Sequence, residues 1–212
     1  MNSGEVAARY PRGFLRAYVR AKLATDPVYG AAFERLRDSP LPLFDVGCGI
    51  GLFETYLRSR GFTQPIFGVD HDERKIRIAQ QCVADANTAF KVGDARTFGS
   101  SGNVVLIDVL HYFNDEDQQA ILQNASNSSG MILIRDGIRD GSLRYRATYA
   151  QETLARAGGW LKAERLNFPT RQSIERSFNG AFSCEVVPMF GRSPFNNYLF
   201  VFRRSSDGMT NE

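Results

Sequence analysis

Cysteine is scarce in this chain, and the three present, Cys48, Cys82 and Cys184, are odd in number and lack C-x-x-C spacing. That pattern excludes a disulfide framework and argues against a zinc site, so no metal is expected. Cys48 lies between two glycines and reads as a small filler rather than a nucleophile. No apolar run approaches the roughly 20 residues of a membrane span, and the first residues lack the apolar stretch of a signal peptide, so a cytoplasmic protein is expected. Charge of one sign is not in excess either. The formal charge of +3 is too small to demand a polyanionic partner. Internal repeats are absent, and the one low-complexity patch, Asn124 to Gly130, reads as a loop. A chain of 212 residues can bury one α/β domain well and is too short for two ordinary ones.

What is present is concentrated in Leu43-Phe44-Asp45-Val46-Gly47-Cys48-Gly49-Ile50-Gly51-Leu52, an apolar run that breaks into alternating glycines and resumes as a helix. It reads as strand, tight loop, helix. Glycine lacks a Cβ, so such a loop can take positive φ and bring backbone amides close to a bound nucleoside. A second apolar run, Pro65 to Val69, ends in Asp70, nineteen residues after Gly51. In nucleotide-binding βαβ units an acidic residue at about that distance accepts hydrogen bonds from a ribose hydroxyl. The dinucleotide pattern G-x-G-x-x-G would need glycine at position 52, where leucine stands, so a pyrophosphate ligand is disfavoured.

The pattern Asp45-x-Gly47-x-Gly49-x-Gly51 resembles that of the class I S-adenosylmethionine-dependent methyltransferases, and the resemblance extends over roughly residues 40 to 203. It is carried by the glycine loop, Asp70 after the second strand, Gly93-Asp94-Ala95 after the third, and Asp108-Val109-Leu110-His111-Tyr112 after the fourth. The resemblance implies an α/β, Rossmann-like sheet of seven mostly parallel strands, in the order 3-2-1-4-5-7-6 with strand 7 antiparallel and helices on both faces. It implies S-adenosylmethionine as cofactor, S-adenosylhomocysteine as product and a small-molecule acceptor. The segments Ile134 to Gly141 and Gly191 to Arg204 are also similar to bacterial methyltransferases of aryl polyene pathways, which would imply an aromatic, phenolic or acyl acceptor.

Residues 1–40 read as a helical cap, 41–204 as the methyltransferase domain and 205–212 as a disordered tail. Within the cap, Tyr10 to Leu23 has the spacing of one amphipathic helix, and a second follows from Asp26-Pro27. The two helices are either simple packing on the sheet or a lid over the cofactor. Strands are expected near 42–46, 65–69, 88–92, 103–109 and 130–135, and helices near 51–60, 72–85 and 115–125. Pro169 to Glu175 reads as a capped helix start, so residues 136–168 form an insertion. By resemblance, Cys184–Phe190 and Tyr198–Arg203 are the last two strands, and their hairpin joins the insertion on the active face.

By the same resemblance, Asp70 would accept from the ribose hydroxyls, with His71 beside it, and Asp94 with Ala95 would meet the adenine. Asp45 and Asp108 would lie near the methionine part, with Gly47, Cys48, Gly49 and Gly51 as the cradle. Asp70 could also be a helix N-cap and Asp94 a turn residue. His111 and Tyr112 follow the fourth strand, where an imidazole with an ordinary pKa near 6.5 could act as general base. Arg135, Arg139, Arg144 and Arg192 could receive a carboxylate or phosphate of the acceptor, and Tyr145, Tyr149, Phe195, Asn196 and Trp160 could line its pocket.

Two other readings compete. A nucleic-acid or protein methyltransferase is one, but no nucleic acid is expected, because base-amino enzymes carry an Asn/Asp-Pro-Pro-aromatic motif where this chain has Asp108-Val109-Leu110-His111. An inactive cofactor-binding domain serving a partner protein is the other, opposed by the intact glycine loop and acidic residues.

Overall fold

The computed structural model describes residues 3–99, 101–157, 166–178, 180–191 and 193–205. Seven strands form one sheet: β1 (Leu43–Val46), β2 (Ile66–Asp70), β3 (Thr88–Val92), β4 (Asn103–Ile107), β5 (Ile132–Gly137), β6 (Phe182–Pro188) and β7 (Asn197–Arg204). Their order is β3-β2-β1-β4-β5-β7-β6. The strands from β3 through β5 are parallel, and β7 runs antiparallel to both β5 and β6. Every residue of β5 is buried, as expected for a central strand covered on both faces.

Alternate side chains of the sheet feed two cores. Leu43, Ile66, Val105, Leu133 and Val201 face helices α1 (Ser3–Ala8), α2 (Phe14–Thr25), α3 (Val28–Leu36) and α4 (Leu52–Ser59), through Val6, Val19, Leu36 and Leu57. Val46, Val104, Leu106, Ile134 and Phe200 face α6 (Asp115–Ser126) and α8 (Arg171–Arg176), through Ile121, Leu122 and Ile174. Burying one such Leu or Ile side chain contributes about 1.5–3 kcal/mol, so the sheet is held from both sides. Two further helices are α5 (Glu73–Cys82) and α7 (Leu143–Ala157), the latter within the insertion.

Local chemistry explains most boundaries. Asn114 caps α6 by accepting from the Asp117 amide at 2.8 Å. Thr170 opens α8 with a reciprocal capping box to Ser173. The segment expected as one helix from Tyr10 is instead broken. Pro11 removes a backbone donor and Gly13 takes φ 95°, so α2 begins only at Phe14. Tyr10 then turns inward, its hydroxyl 2.8 Å from that of Thr55 on α4. The fourth strand ends at Ile107 rather than 109, because Asp108 adopts φ 59°. No described helix is long and apolar enough to cross a membrane.

Candidate active site

The register brings the ends of β1, β2 and β4 level, with Val46 opposite both Val69 and Leu106. The loops that follow these strands therefore open into one cleft of about 910 Å³. In an open parallel sheet this is where ligands bind.

The glycine loop forms one wall. Gly47, Gly49 and Gly51 take φ of 81°, 56° and 73°. At Gly47 a Cβ would meet Val109 Cγ2 at 2.4 Å, so close packing as well as φ requires glycine. At Gly49 a Cβ would meet nothing within 4 Å, which leaves free space beside the loop. Gly51 is the N-cap of α4 and does not line the cleft, whereas Gly47, Cys48 and Gly49 do. Burial pushes the Cys48 thiol well up, which suits a filler and not a nucleophile.

Asp70 holds this loop. Its Oδ2 accepts from the Gly49 amide at 2.9 Å and its Oδ1 from the Asp72 amide at 2.8 Å. The N-cap of α5 is Asp72, which accepts from the Arg74 amide, so Asp70 is not the cap itself. Lone pairs remain on both Asp70 oxygens, and the residue lines the cleft beside the exposed His71. Asp94 accepts from the Arg96 amide at 2.8 Å in a local turn and is gripped by the Arg96 guanidinium, which holds its carboxyl below the usual range. Both Asp94 and Ala95 line the cleft.

Asp45 lies at the end of β1 and is 2% exposed. Burial pushes its pKa up to about 7, with the Asp70 charge adding to the rise. Behind it stands Glu54 of α4, fully buried, with neither carboxylate oxygen hydrogen-bonded. Burial and the neighbouring Asp45 hold Glu54 well above the ordinary carboxylate range. Sequence reasoning passed over Glu54. The signal available was an acidic residue within the apolar face of Leu52, Phe53 and Leu57.

Asp108 is the one non-glycine residue with positive φ among the described residues, a conformation that costs about 1–3 kcal/mol and needs support. That support is a charge network. Asp108 pairs with Lys22 at 3.0 Å and with Arg135, while Arg135 also pairs with Asp26 at 2.7 Å and Lys22 with Asp26 at 3.2 Å. The network ties α2 and its C-cap residue Asp26 to the ends of β4 and β5. Arg135 is buried and committed to these carboxylates rather than turned toward an acceptor. Tyr18, Lys22 and Tyr29, which the sequence did not mark, line the cleft.

At the far end of the cleft stand Tyr112, Phe113 and Asn114 after β4, Arg139 after β5, and Gln151, Glu152 and Asn167 from the insertion. His111 is buried just behind them, its Nδ1 2.6 Å from Asp136 Oδ1 on β5. Burial works against a charge on this imidazole, but the carboxylates of Asp136 and Glu152 outweigh it, so its pKa moves up. Burial and Glu152 also raise the Tyr112 hydroxyl, which therefore donates, to Glu152 Oε2 at 3.3 Å.

The other expected acceptor residues are drawn elsewhere. Arg144 donates to the Ser193 carbonyl at 3.0 Å and lies over the Phe190 ring. Tyr145 and Tyr149 pack against Phe168. Asn196 is buried and donates to the Ile138 carbonyl at 2.7 Å, and Phe195 is half-buried in the same turn. None of these five lines the cleft; the β6–β7 turn itself packs against the α2–α3 corner, where a Cβ at Gly191 would come within 2.7 Å of the Thr25 carbonyl oxygen. Arg192, Trp160 and residues 206–212 lie outside the described residues. Among the described residues no group of three or more His, Cys, Asp or Glu side chains is placed to hold a metal ion.

Residues 43–128 match the methyltransferase domain family. Among curated proteins none matches the chain by sequence. Among solved structures, the magnesium protoporphyrin IX methyltransferase of Synechocystis with bound S-adenosylhomocysteine is 18% identical with a TM-score of 0.67, over 95% of this chain and 92% of that one. A mitomycin 7-O-methyltransferase is 12% identical with a TM-score of 0.68, over 97% of this chain and 61% of that one. An S-adenosylmethionine-dependent methyltransferase of Clostridium acetobutylicum is 11% identical with a TM-score of 0.61, over 90% of this chain and 98% of that one. Residues 43–128 thus carry a methyltransferase domain, set in a seven-stranded sheet with the order expected of the class I fold, whose members draw their methyl group from S-adenosylmethionine.

Proposed function

We propose that this enzyme methylates a small molecule held at the β4 and β5 ends of the cleft, under α2 and α7. The observation that carries the reading is a single cleft running from the glycine loop, Asp70 and Asp94 at one end to Tyr112, Glu152 and Asn167 at the other. The sheet order puts β3, β2 and β1 under the first end and β4 and β5 under the second, so a nucleoside and an acceptor can lie side by side. The donor set fits S-adenosylmethionine. Asp70 offers lone pairs to ribose hydroxyls, Asp94 and the Ala95 backbone sit where an adenine edge would lie, and Gly47 to Gly49 leave room for close approach. Asp45 and Asp108 supply acceptors for an ammonium, and His71 flanks the ribose.

When bound, the cofactor supplies an electrophilic methyl group on a sulfonium. The protein's part is to hold the acceptor in line with it, and such positioning alone is worth up to roughly 7–11 kcal/mol in favourable cases. Tyr112 lines this acceptor end with His111 buried behind it, and among the described residues Arg139 is the expected arginine that faces the cleft and could meet an anionic group of the acceptor. Tyr18, Tyr112 and Phe113 on the wall favour an aromatic or acyl acceptor. The protoporphyrin and mitomycin methyltransferases, by their names, act on small molecules. A cytoplasmic setting belongs to the same reading, in keeping with three free cysteines.

The test is calorimetry with S-adenosylhomocysteine and NAD, with mass spectrometry of the purified protein for co-purified S-adenosylmethionine. Micromolar binding of S-adenosylhomocysteine and little binding of NAD are expected. The opposite preference overturns the reading.

A further inference from the structure

His111 follows β4, where a general base is expected, yet it does not reach the cleft. Its ring stacks on Phe168 at 4.8 Å with an interplanar angle of 9° and lies 4.0 Å from the Tyr112 ring. Its Nδ1 is bound to Asp136, whose Oδ2 also accepts from the Leu110 amide at 2.9 Å. Its carbonyl accepts from the Asn167 amide at 2.8 Å. Fixed on three sides, the imidazole cannot swing outward. The one ring atom left without a hydrogen bond is Nε2, which is buried and lies 3.9 Å from Glu152 Oε2.

Glu152 is the group between that nitrogen and the cleft. It lines the cavity, its side chain is 15% exposed, and the Tyr112 hydroxyl and the Gln151 amide orient its two oxygens. The other charged or titratable groups facing this cluster are Asp136 from β5 and Tyr18 and Lys22 from α2. We infer that Glu152 is the proton acceptor of the reaction, held by His111 and Asp136 as positioning residues, and that the methyl acceptor is therefore a hydroxyl or amine rather than a carboxylate.

The inference rests on the methyl-transfer reading. A carboxylate acceptor has no proton to give near neutrality, and a second carboxylate beside Glu152 would be repelled. A hydroxyl or amine gains from it. The acceptor's O–H or N–H bond breaks and its proton passes to a Glu152 oxygen. The freed electron pair forms the bond to the methyl carbon, and sulfur keeps the pair of the bond that breaks. His111 Nε2 lies 3.9 Å from Glu152 Oε2, near enough for the charged imidazole to favour the carboxylate, and after transfer the proton on Glu152 passes to water in the cleft that the residue lines.

The experiment uses the full chain, Glu152→Gln and Glu152→Asp, with methyl-labelled S-adenosylmethionine and three probe acceptors: catechol, aniline and benzoate. Label is expected in catechol or aniline and not in benzoate. Glu152→Gln should lower kcat about 10²- to 10⁴-fold, the usual worth of a general base. It should leave the affinity for S-adenosylhomocysteine within about twofold and abolish the acidic limb of the pH–rate profile, while Glu152→Asp keeps that limb. Labelling of benzoate alone, or unchanged turnover in Glu152→Gln, overturns the inference. A second readout needs no acceptor. The chain has two histidines, so histidine-labelled NMR follows His111 against the exposed His71 as internal control. Glu152→Gln should move the His111 titration downward and leave His71 in place, and an unmoved His111 overturns the inference even if no probe is turned over. Failure of the wild type to bind S-adenosylhomocysteine would instead refute the methyl-transfer reading, with the His111–Glu152 pairing still decided by NMR.

Discussion

Cofactor affinity should depend on pH through Asp45. Burial and the Asp70 charge raise this carboxyl to about 7, so in the free enzyme it is largely protonated at mildly acidic pH. An ammonium on the ligand needs the carboxylate. Below pH 7, binding must therefore expel a proton, and each further pH unit costs a factor of ten, or about 1.4 kcal/mol. Between pH 8 and pH 5.5 the affinity for S-adenosylhomocysteine should fall about 30-fold, by linkage over roughly 1.5 units below the midpoint. The stability of the ligand-free protein carries the opposite sign. An acid whose folded pKa is raised stabilises the fold at low pH, and that contribution disappears as pH rises through about 7. Calorimetry in buffers of different ionisation enthalpy would count the expelled proton, and thermal unfolding with and without ligand would give both slopes. Asp45→Asn should bind more weakly and without the pH slope. A dissociation constant that stays flat from pH 5.5 to 8 in the wild type would refute the reasoning, since the ligand would then not require an ionised Asp45.

Three further outcomes follow from the same geometry. Gly47→Ala places a methyl 2.4 Å from Val109 Cγ2 at φ 81°, so thermal unfolding should show a loss of about 1–2 kcal/mol from φ alone and more from the clash. Adding Val109→Ala should recover part of the clash but not the φ cost. Asp70→Asn replaces one acceptor with a donor facing the Gly49 amide, now 2.9 Å from Oδ2. Loss of the charge-assisted bonds that the carboxylate would accept from the ribose, about 1.5–3 kcal/mol, should weaken S-adenosylhomocysteine about 10- to 100-fold by calorimetry with the circular dichroism unchanged. Lys22→Met leaves Asp26 and Asp108 sharing Arg135 alone, so hydrogen exchange should show reduced protection in α2, while the helices on the opposite face keep theirs.

The parts of the site that were legible are those encoded within a few residues. The glycine loop and Asp70 announce themselves because φ demands, close approach and strand-end placement all act locally, and the structure puts them on one wall. The strand order came through family resemblance, since nothing in a strand's own residues says which neighbour it pairs with. The break at Pro11 and Gly13 was readable in principle, but the apolar spacing from Tyr10 to Leu23 outweighed it, and Tyr10 proved to serve a different contact. Charged residues were the hardest. Arg135 looked like a substrate ligand because it ends β5 on the active face, but an arginine there can be consumed by Asp26 and Asp108, 109 and 27 positions earlier in the chain, and only the packing of α2 decides that.

His111 makes the same point at the acceptor end. Its position after β4 suggests a base facing the cleft, but its neighbours hold the ring buried behind the cleft wall. Asp136, which takes Nδ1, sits two positions before the Ile138 turn on β5, and Phe168 covers the ring from the end of the insertion. A histidine's role is fixed by the partner of its other nitrogen and by which face is covered, and both come from segments distant in sequence. Once Asp136 holds Nδ1 and Phe168 holds the ring, the remaining nitrogen can act only on what stands next to it. That group is Glu152, 41 residues further along the chain and 3.9 Å away.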